Sequence, residues 1–293
     1  MKIKIEIPAT SANLGPGFDT LGLAVDWQYQ FEISTSLKEK KSNPKLNMVK
    51  DGFNAVYDAI KLQEKPHLEV GFSDNILIGK GLGTSAACYL AGIEAANQFL
   101  NNPLSEEEKI DIAVKVEGHA DNIMPAYYGG LQIITKKEQK NKNDNMDFIN
   151  LRLKIDKKIK LILLVPSFSM PTKKTRKMLD KDITLDSAVY NISRAMLLTH
   201  ALVLGKYELL QEATLDKLHQ PIRSKNFPKM YEIFDAAIKQ GAHGVYLSGG
   251  GPTIAAFATK NEKDICKAMQ NKIKDPKSIV KICHVVDEGL KII

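Results

Sequence analysis

Residues 79–87 read GKGLGTSAA: three glycines in five residues, then Thr84 and Ser85, then the alanine-rich run SAACYLAGIEAANQFLN at 85–101. The run offers strong helix formers over four turns, so the glycine turn feeds a long helix. Such a turn can present several backbone N–H groups to one anion, and the helix dipole adds partial positive charge at the same place. Phosphate is the obvious candidate. An ordinary tight turn with a Ser or Thr cap reads the same way at this length, so the surrounding chain has to decide. Two familiar phosphate motifs are excluded. Lys80 precedes Gly81 and Gly83 is followed by Thr84, which is not the Walker order, and the third glycine of a dinucleotide fingerprint is missing.

Composition narrows the class. A chain of 293 residues supports one large domain or two ordinary ones, and 44% hydrophobic with 26% charged residues is the balance of a soluble globular protein. The start, MKIKIEIPAT, alternates charged and apolar residues as a strand does, so a secretory signal is not expected. The longest aliphatic stretch, LILLV at 161–165, is strand-sized, and no membrane association is expected. Cys88, Cys266 and Cys283 lack the spacing of a disulfide framework or zinc site, which fits a reducing cytoplasm. The net charge of +7 is spread among acidic residues and favours anionic small molecules, without a nucleic-acid partner; a basic RNA-binding module is the contrasting reading.

Periodicity predicts strands at 2–7 and within 21–36, separated by a shaped loop, PATSANLGPGFDT. A short helix near 53–63 and a strand near 67–72 lead to the glycine turn. After the long helix, Ser105 and Glu108 form a capping box for a helix to about Glu117, followed by strands near 130–135 and 159–165. The segment TKKEQKNKNDN at 135–145 reads as a solvated polar loop, and the Lys- and Asn-rich stretch 136–158 as the boundary between halves. The second half predicts helices at 187–204, 207–218 and 228–240, strands GVYLS and TIAAFA around a glycine loop, a helix at 261–273 and a final strand in SIVKICHVV. Adjacent runs of helices and strands, rather than strict alternation, give two α+β domains, set at 1–155 and 156–293.

Three further observations bear on the phosphate reading. TSANLGPGFD at 10–19 and LSGGGPT at 247–253 are glycine-rich loops with polar side chains inside them, and EGHADN at 117–122 packs carboxylates, an imidazole and an amide into six residues. A phosphate cradle that also holds Mg²⁺ needs hard oxygen ligands, and Glu117 is the nearby carboxylate. The motifs PATSANLGPGFDTLG, GLGTSAA, EGHADNIMPAYYGG and LSGGGPTIAAF occur in the order and approximate spacing of the GHMP small-molecule kinases, and the first and third are similar to those of the homoserine kinase family. The resemblance covers essentially the whole chain.

The resemblance implies a two-domain fold with a ribosomal-protein-like N-terminal domain and a ferredoxin-like C-terminal α/β sandwich. It implies ATP and Mg²⁺, phosphorylation of the side-chain hydroxyl of L-homoserine on the route to threonine, and a homodimer. It assigns the nucleotide phosphates to Gly81, Gly83, Thr84, Ser85 and Ala86, counts Lys80 and Leu82 among the nucleotide-binding residues, and gives Mg²⁺ to Thr84 and Glu117. For the amino acid it implies Asn13, Asp19, His119, Asp121, Arg176 and Arg223, with Asn13 also orienting the hydroxyl. The chemistry agrees: arginine forks suit a carboxylate, Asp suits an ammonium, and an amide can orient a hydroxyl. One departure is Leu77, where relatives often carry proline. Ser248 is an additional donor in its glycine loop, whereas MPAYYGG at 124–130 reads as structural. The alternatives are a sibling kinase acting on mevalonate or shikimate, neither of which has an ammonium, and a binding module that keeps the fold alone.

Overall fold

The computed structural model describes residues 1–36, 43–74, 76–138, 148–170, 176–179 and 182–293. The polar loop expected at 135–145 lies outside the described residues from 139 on. The first sheet is antiparallel and built around β2 (Leu21–Ser36), whose 16 residues serve three neighbours. One side pairs with β1 (Lys2–Ala12); the other pairs with β4 (Leu131–Lys136) at its start and β3 (His67–Phe72) at its end. β5 (Phe148–Leu153) extends the sheet beyond β4, and the two-residue β10 (Lys291–Ile292) returns from the far end of the sequence to pair with β1.

The loop expected at 8–20 begins later than the sequence pattern suggests, because β1 continues through Ala12. Lys2 and Lys4 are exposed while Ile3, Ile5 and Ile7 are buried, but from Ile7 onward every residue of β1 is buried. A strand covered on both faces loses the alternation by which a strand is recognised. The register shifts between Pro8 and Ala9, where proline has no N–H to give the ladder.

Helices α1 (Pro44–Ala59), α2 (Thr84–Phe99), α3 (Glu106–Glu117) and α4 (Ile123–Tyr128) pack with this sheet. α1 starts nine residues earlier than its apolar pattern predicts, because Asn43 accepts a hydrogen bond from Leu46 N and Pro44 follows it. α2 is apolar around most of its circumference, as befits a central helix. It approaches α1 closely enough that a β-carbon on Gly92 would lie 2.0 Å from the Val49 carbonyl oxygen. The capping box of α3 is present, with both Ser105 and Glu108 engaged.

The second sheet has the order β7-β8-β6-β9 and is antiparallel throughout, formed by β6 (Lys160–Val165), β7 (Gly244–Leu247), β8 (Ile254–Ala258) and β9 (Ile279–His284). Helices α5 (Leu185–Leu204), α6 (Leu210–Ala213), α7 (Gln220–Ser224), α8 (Met230–Lys239) and α9 (Glu262–Ile273) accompany it. The single helix expected at 207–218 is broken. A 3₁₀ turn at Tyr207–Leu209 runs into α6, and then the Asp216 carboxylate accepts from the amides of Leu218, His219 and Gln220 and starts α7 instead. The larger apolar core is continuous between the sheets, joining Ile5, Phe31 and Leu90 to Leu161, Tyr246 and Phe257. Glycine loops from both halves therefore meet over one floor.

Candidate active site

Gly79, Gly81 and Gly83 have φ angles of 69°, 75° and 68°, the left-handed region open to glycine. At the second and third a side chain would not fit. A β-carbon on Gly81 would lie 2.2 Å from the Ser248 carbonyl oxygen, and one on Gly83 would lie 1.9 Å from Thr10 Oγ1. α2 begins at Thr84 with no side-chain cap, so its first-turn amides have no acceptor within the helix. The loop forms one wall of a cleft of about 680 Å³, lined also by Asn13, Asp19, Glu117, His119, Asp121, Arg176 and Arg223.

Two side chains in the loop do something other than the sequence reading assigns. The Lys80 ammonium donates to the carbonyls of Pro166, Ser167 and Phe168 at 2.9, 2.6 and 2.7 Å. Its three hydrogens are thereby committed, so the side chain ties the loop to the chain beyond β6 rather than reaching for phosphate. Burial lowers its pKa, against the opposing field of Asp275. Thr84 Oγ1 donates to the Leu77 carbonyl at 2.8 Å and lies 3.3 Å from the Tyr29 hydroxyl. The hydroxyl that meets Glu117 is Ser85's, donating to Oε1 at 2.5 Å. The hydroxyl on the Glu117 carboxylate is thus that of Ser85, one residue on from Thr84. The reason is helical phase: successive positions point about 100° apart.

At the other end of the cleft, Gly118 closes α3 with a φ of 91° and turns the chain so that His119 and Asp121 follow Glu117 onto the wall. His119 Nδ1 is 2.5 Å from Asp121 Oδ1, and Nε2 is 3.7 Å from Glu117 Oε1. Burial works against a charged imidazole, but the Asp121 and Glu117 carboxylates outweigh it and raise the pKa to about 9. Burial would raise the pKa of Asp121; His119 and Arg176 reverse that and hold it low. Arg176 grips Asp19 with a two-pronged ion pair at 2.7 and 2.6 Å. Asn13 and Asp19 both have positive φ, 70° and 58°. Asn13 Oδ1 accepts from the Asp19 amide while Nδ2 donates to the Gly249 carbonyl, clasping the first loop to the last. Arg223 is 1% exposed, and its Nη1 donates to Gly249 O at 2.7 Å and His219 Nδ1 at 2.9 Å. Phe18 lies between the arginines, with Arg176 Cζ 5.3 Å and Arg223 Cζ 5.6 Å from its ring centre.

Comparison with known proteins places this cleft in a family. Residues 47–130 match the GHMP kinases N-terminal domain and residues 198–275 the GHMP kinases C-terminal domain. The homoserine kinase of Petrotoga mobilis is 37% identical over 304 residues, spanning 99% of this chain and 96% of that protein. This chain belongs to the homoserine kinase family of GHMP kinases. The homoserine kinase of Clostridium beijerinckii is 38% identical over 93% of this chain and 90% of its own length. The crystal structure of homoserine kinase from Cytophaga hutchinsonii shares the fold with a TM-score of 0.84 at 26% identity, covering 100% of this chain and 97% of that one. The two-part GHMP kinase fold expected from the motifs is therefore the fold of this chain.

In this GHMP kinase the structure brings every polar side chain expected at the amino-acid end to one cleft wall, while Ala86 is buried in the first turn of α2. Sequence reading missed the partnership of Ser85 with Glu117, the Phe18 platform, and the buried group of Asn191, Asp216 and His219 behind Arg223. Two signals were available for the last of these. Asp216 stands a short step before Pro221, as helix-starting carboxylates do, and His219 and Arg223 are four residues apart. Ser248 is absorbed internally, hydrogen-bonded to Ser11 Oγ and the Gly81 carbonyl.

Proposed function

We propose that this chain transfers the γ-phosphoryl group of ATP to the side-chain hydroxyl of L-homoserine, giving ADP and O-phospho-L-homoserine. The observation that carries the reading is a single cleft lined both by an open helix N-terminus and by an Asp/Arg/His cluster suited to a zwitterion. The backbone of 81–86 would cradle the phosphates. The halves 1–155 and 156–293 are taken as the two lobes whose loops supply the two ends. Ser85 and Glu117 fit Mg²⁺ by their chemistry, one hydroxyl and one carboxylate beside the cradle. Bound there, the ion would neutralise phosphate charge, and with two protein oxygens its remaining positions would go to phosphates and water.

Toward the amino acid, Asp19 and Arg176 supply opposite charges that already hold each other. An ammonium replaces the arginine at Asp19 and a carboxylate replaces the aspartate at Arg176, so a zwitterion satisfies both while a simple alcohol satisfies neither. Asn13, at the junction of the first and last loops, faces the space where the hydroxyl would lie. Asp121 is a weak base, because His119 stabilises its charged form. Positioning and charge neutralisation then supply the rate enhancement, as suits a loose phosphoryl-transfer transition state. The test is ADP release with MgATP across L-homoserine, D-homoserine, L-serine, L-threonine, mevalonate and shikimate. Turnover confined to L-homoserine supports the reading; turnover with a non-amino alcohol overturns the substrate end, and silence despite ATP binding overturns the kinase reading.

We further propose that the protein pairs with a second copy of itself along α5. Leu185, Val189, Ile192, Met196 and Val203 follow a 4-3-4-7 spacing on its outer face, with exposures of 79, 56, 60, 68 and 43%; Ile183, just before the helix, and Leu204, at its end, are exposed beside the stripe. Seven such side chains on each of two protomers offer on the order of 1,000 Å² in total, the size at which a specific interface begins. An antiparallel pair centred near Arg194 would set Ile192 opposite Met196, and the exposed Asp182 opposite the exposed Lys206. Arg194 itself is occupied by Glu212 and the Tyr190 ring. The three cysteines are free, and a reducing cytoplasm suits them.

A further inference from the structure

His219 lies behind the cleft wall, 0% exposed, and no step above uses it. Its Nδ1 is 2.9 Å from Arg223 Nη1, which can only donate, so Nδ1 is the acceptor and Nε2 carries the proton. Nε2 in turn lies 2.8 Å from the Gly15 carbonyl, an acceptor in the first glycine loop. The ring is therefore fixed at both ends in one tautomer, and it is neutral. Burial lowers its pKa to about 4, Asp216 opposing and Arg223 assisting. Asp216 holds the backbone of this turn, accepting from the amides of Leu218, His219 and Gln220 and from Asn191 Nδ2. The consequence falls on Arg223. Nη1 spends both hydrogens, one on Gly249 O and one on His219, so the edge left for a ligand is Nε with Nη2. Nε is buried without a partner, and Arg223 lines the cleft.

We propose that His219 is a positioning residue for Arg223, holding the guanidinium so that its Nε/Nη2 edge meets the carboxylate of the amino-acid substrate side-on. This rests on the substrate reading above and goes beyond it: the carboxylate contact depends on a side chain that never touches substrate. A leucine at 219 would leave Nη1 a buried hydrogen to satisfy, and the guanidinium would rotate to satisfy it. An asparagine can offer Oδ1 near the place of Nδ1 and keep the anchor.

The experiment is steady-state kinetics of the full-length protein carrying His219→Leu, His219→Asn, Arg223→Ala and the double variant His219→Leu/Arg223→Ala. His219→Leu is expected to raise KM for L-homoserine at least tenfold, with KM for ATP within about twofold of wild type. His219→Asn is expected to restore most of that loss. In the Arg223→Ala background His219→Leu is expected to cost nothing further, since the partner through which it acts is gone. Equal losses toward both substrates, additive losses in the double variant, or no loss in His219→Leu would overturn the proposal. Nitrogen-15 spectra of histidine-labelled protein give a readout independent of turnover. The Nε2–H tautomer at pH 6 to 7 supports the anchor, and an Nδ1–H tautomer or an imidazolium sinks it. A wild-type protein that shows this tautomer but ignores homoserine would overturn the substrate reading and leave the anchoring of Arg223 standing.

Discussion

At the scale of single residues, the neighbouring hydroxyls Thr84 and Ser85 turn to different partners. Thr84 Oγ1 is buried against Leu77 O and Tyr29, whereas Ser85 Oγ faces the cleft on Glu117. Ser85→Ala and Glu117→Ala are expected to lower kcat roughly 100-fold and to raise the Mg²⁺ concentration needed for half-maximal rate. Thr84→Val is expected to lower stability by about 1 kcal/mol, as loss of one buried hydrogen bond does, with a much smaller effect on rate. Mg²⁺ titrations and thermal melts of the three variants check this; a Thr84→Val enzyme as impaired in its Mg²⁺ response as Ser85→Ala would return the metal to Thr84. The residue types at 84, 85 and 117 were legible in the sequence, but their partnership was not. A motif says that two hydroxyls sit at a helix start, while the rotation of that helix about its axis decides which one meets the carboxylate.

At the scale of elements, the loop and helix that form the cradle are held from behind. Lys80 gathers three carbonyls after β6, and its removal costs three hydrogen bonds, the one to Pro166 buried. Lys80→Met is expected to cost about 2–3 kcal/mol of stability while leaving the backbone donors of the cradle in place. A denaturant midpoint measured beside KM for ATP separates the two effects; a large rise in that KM with unchanged stability would give Lys80 back its phosphate. Gly92→Ala is expected to be worse than an ordinary helix substitution, by about 3 kcal/mol, because α1 and α2 meet backbone to backbone at that point. Element identity was largely readable where a periodicity or a cap advertised it, as in α3 and β3. It failed where tertiary context overrode the pattern. The buried end of β1 shows no alternation, β10 is too short for a pattern, and the chain after α6 turns because one carboxylate, Asp216, collects three amides.

At the scale of the molecule, one buried histidine, His219, and one partly buried, His119, bracket the pH range of stability. His219 is neutral with a pKa near 4, against 6.5 when exposed, so on acidification the unfolded chain takes up the proton first. Stability is therefore expected to fall as pH drops from about 6.5 toward 4, and less steeply in His219→Asn. His119 has the opposite shift, to about 9, so its contribution is complete below 6.5 and fades as pH rises through 9. Urea unfolding between pH 4 and 10 reads both limbs; a flat profile in the wild type would contradict them. The proposed pairing along α5 is tested at the same scale. Ile192→Glu on the exposed face of α5 is expected to turn a dimer into a monomer without loss of fold, as read by sedimentation equilibrium. A wild-type monomer, or a dimer indifferent to that change, would remove α5 from the interface. The Asp19–Arg176 pair carries a consequence of its own, since one partner comes from each half of the chain. On the proposed substrate reading, this would make the cleft a coincidence detector: a lone amine or a lone carboxylate would strand one member of the pair, whereas a molecule bearing both ions at once would leave no charge orphaned at the seam.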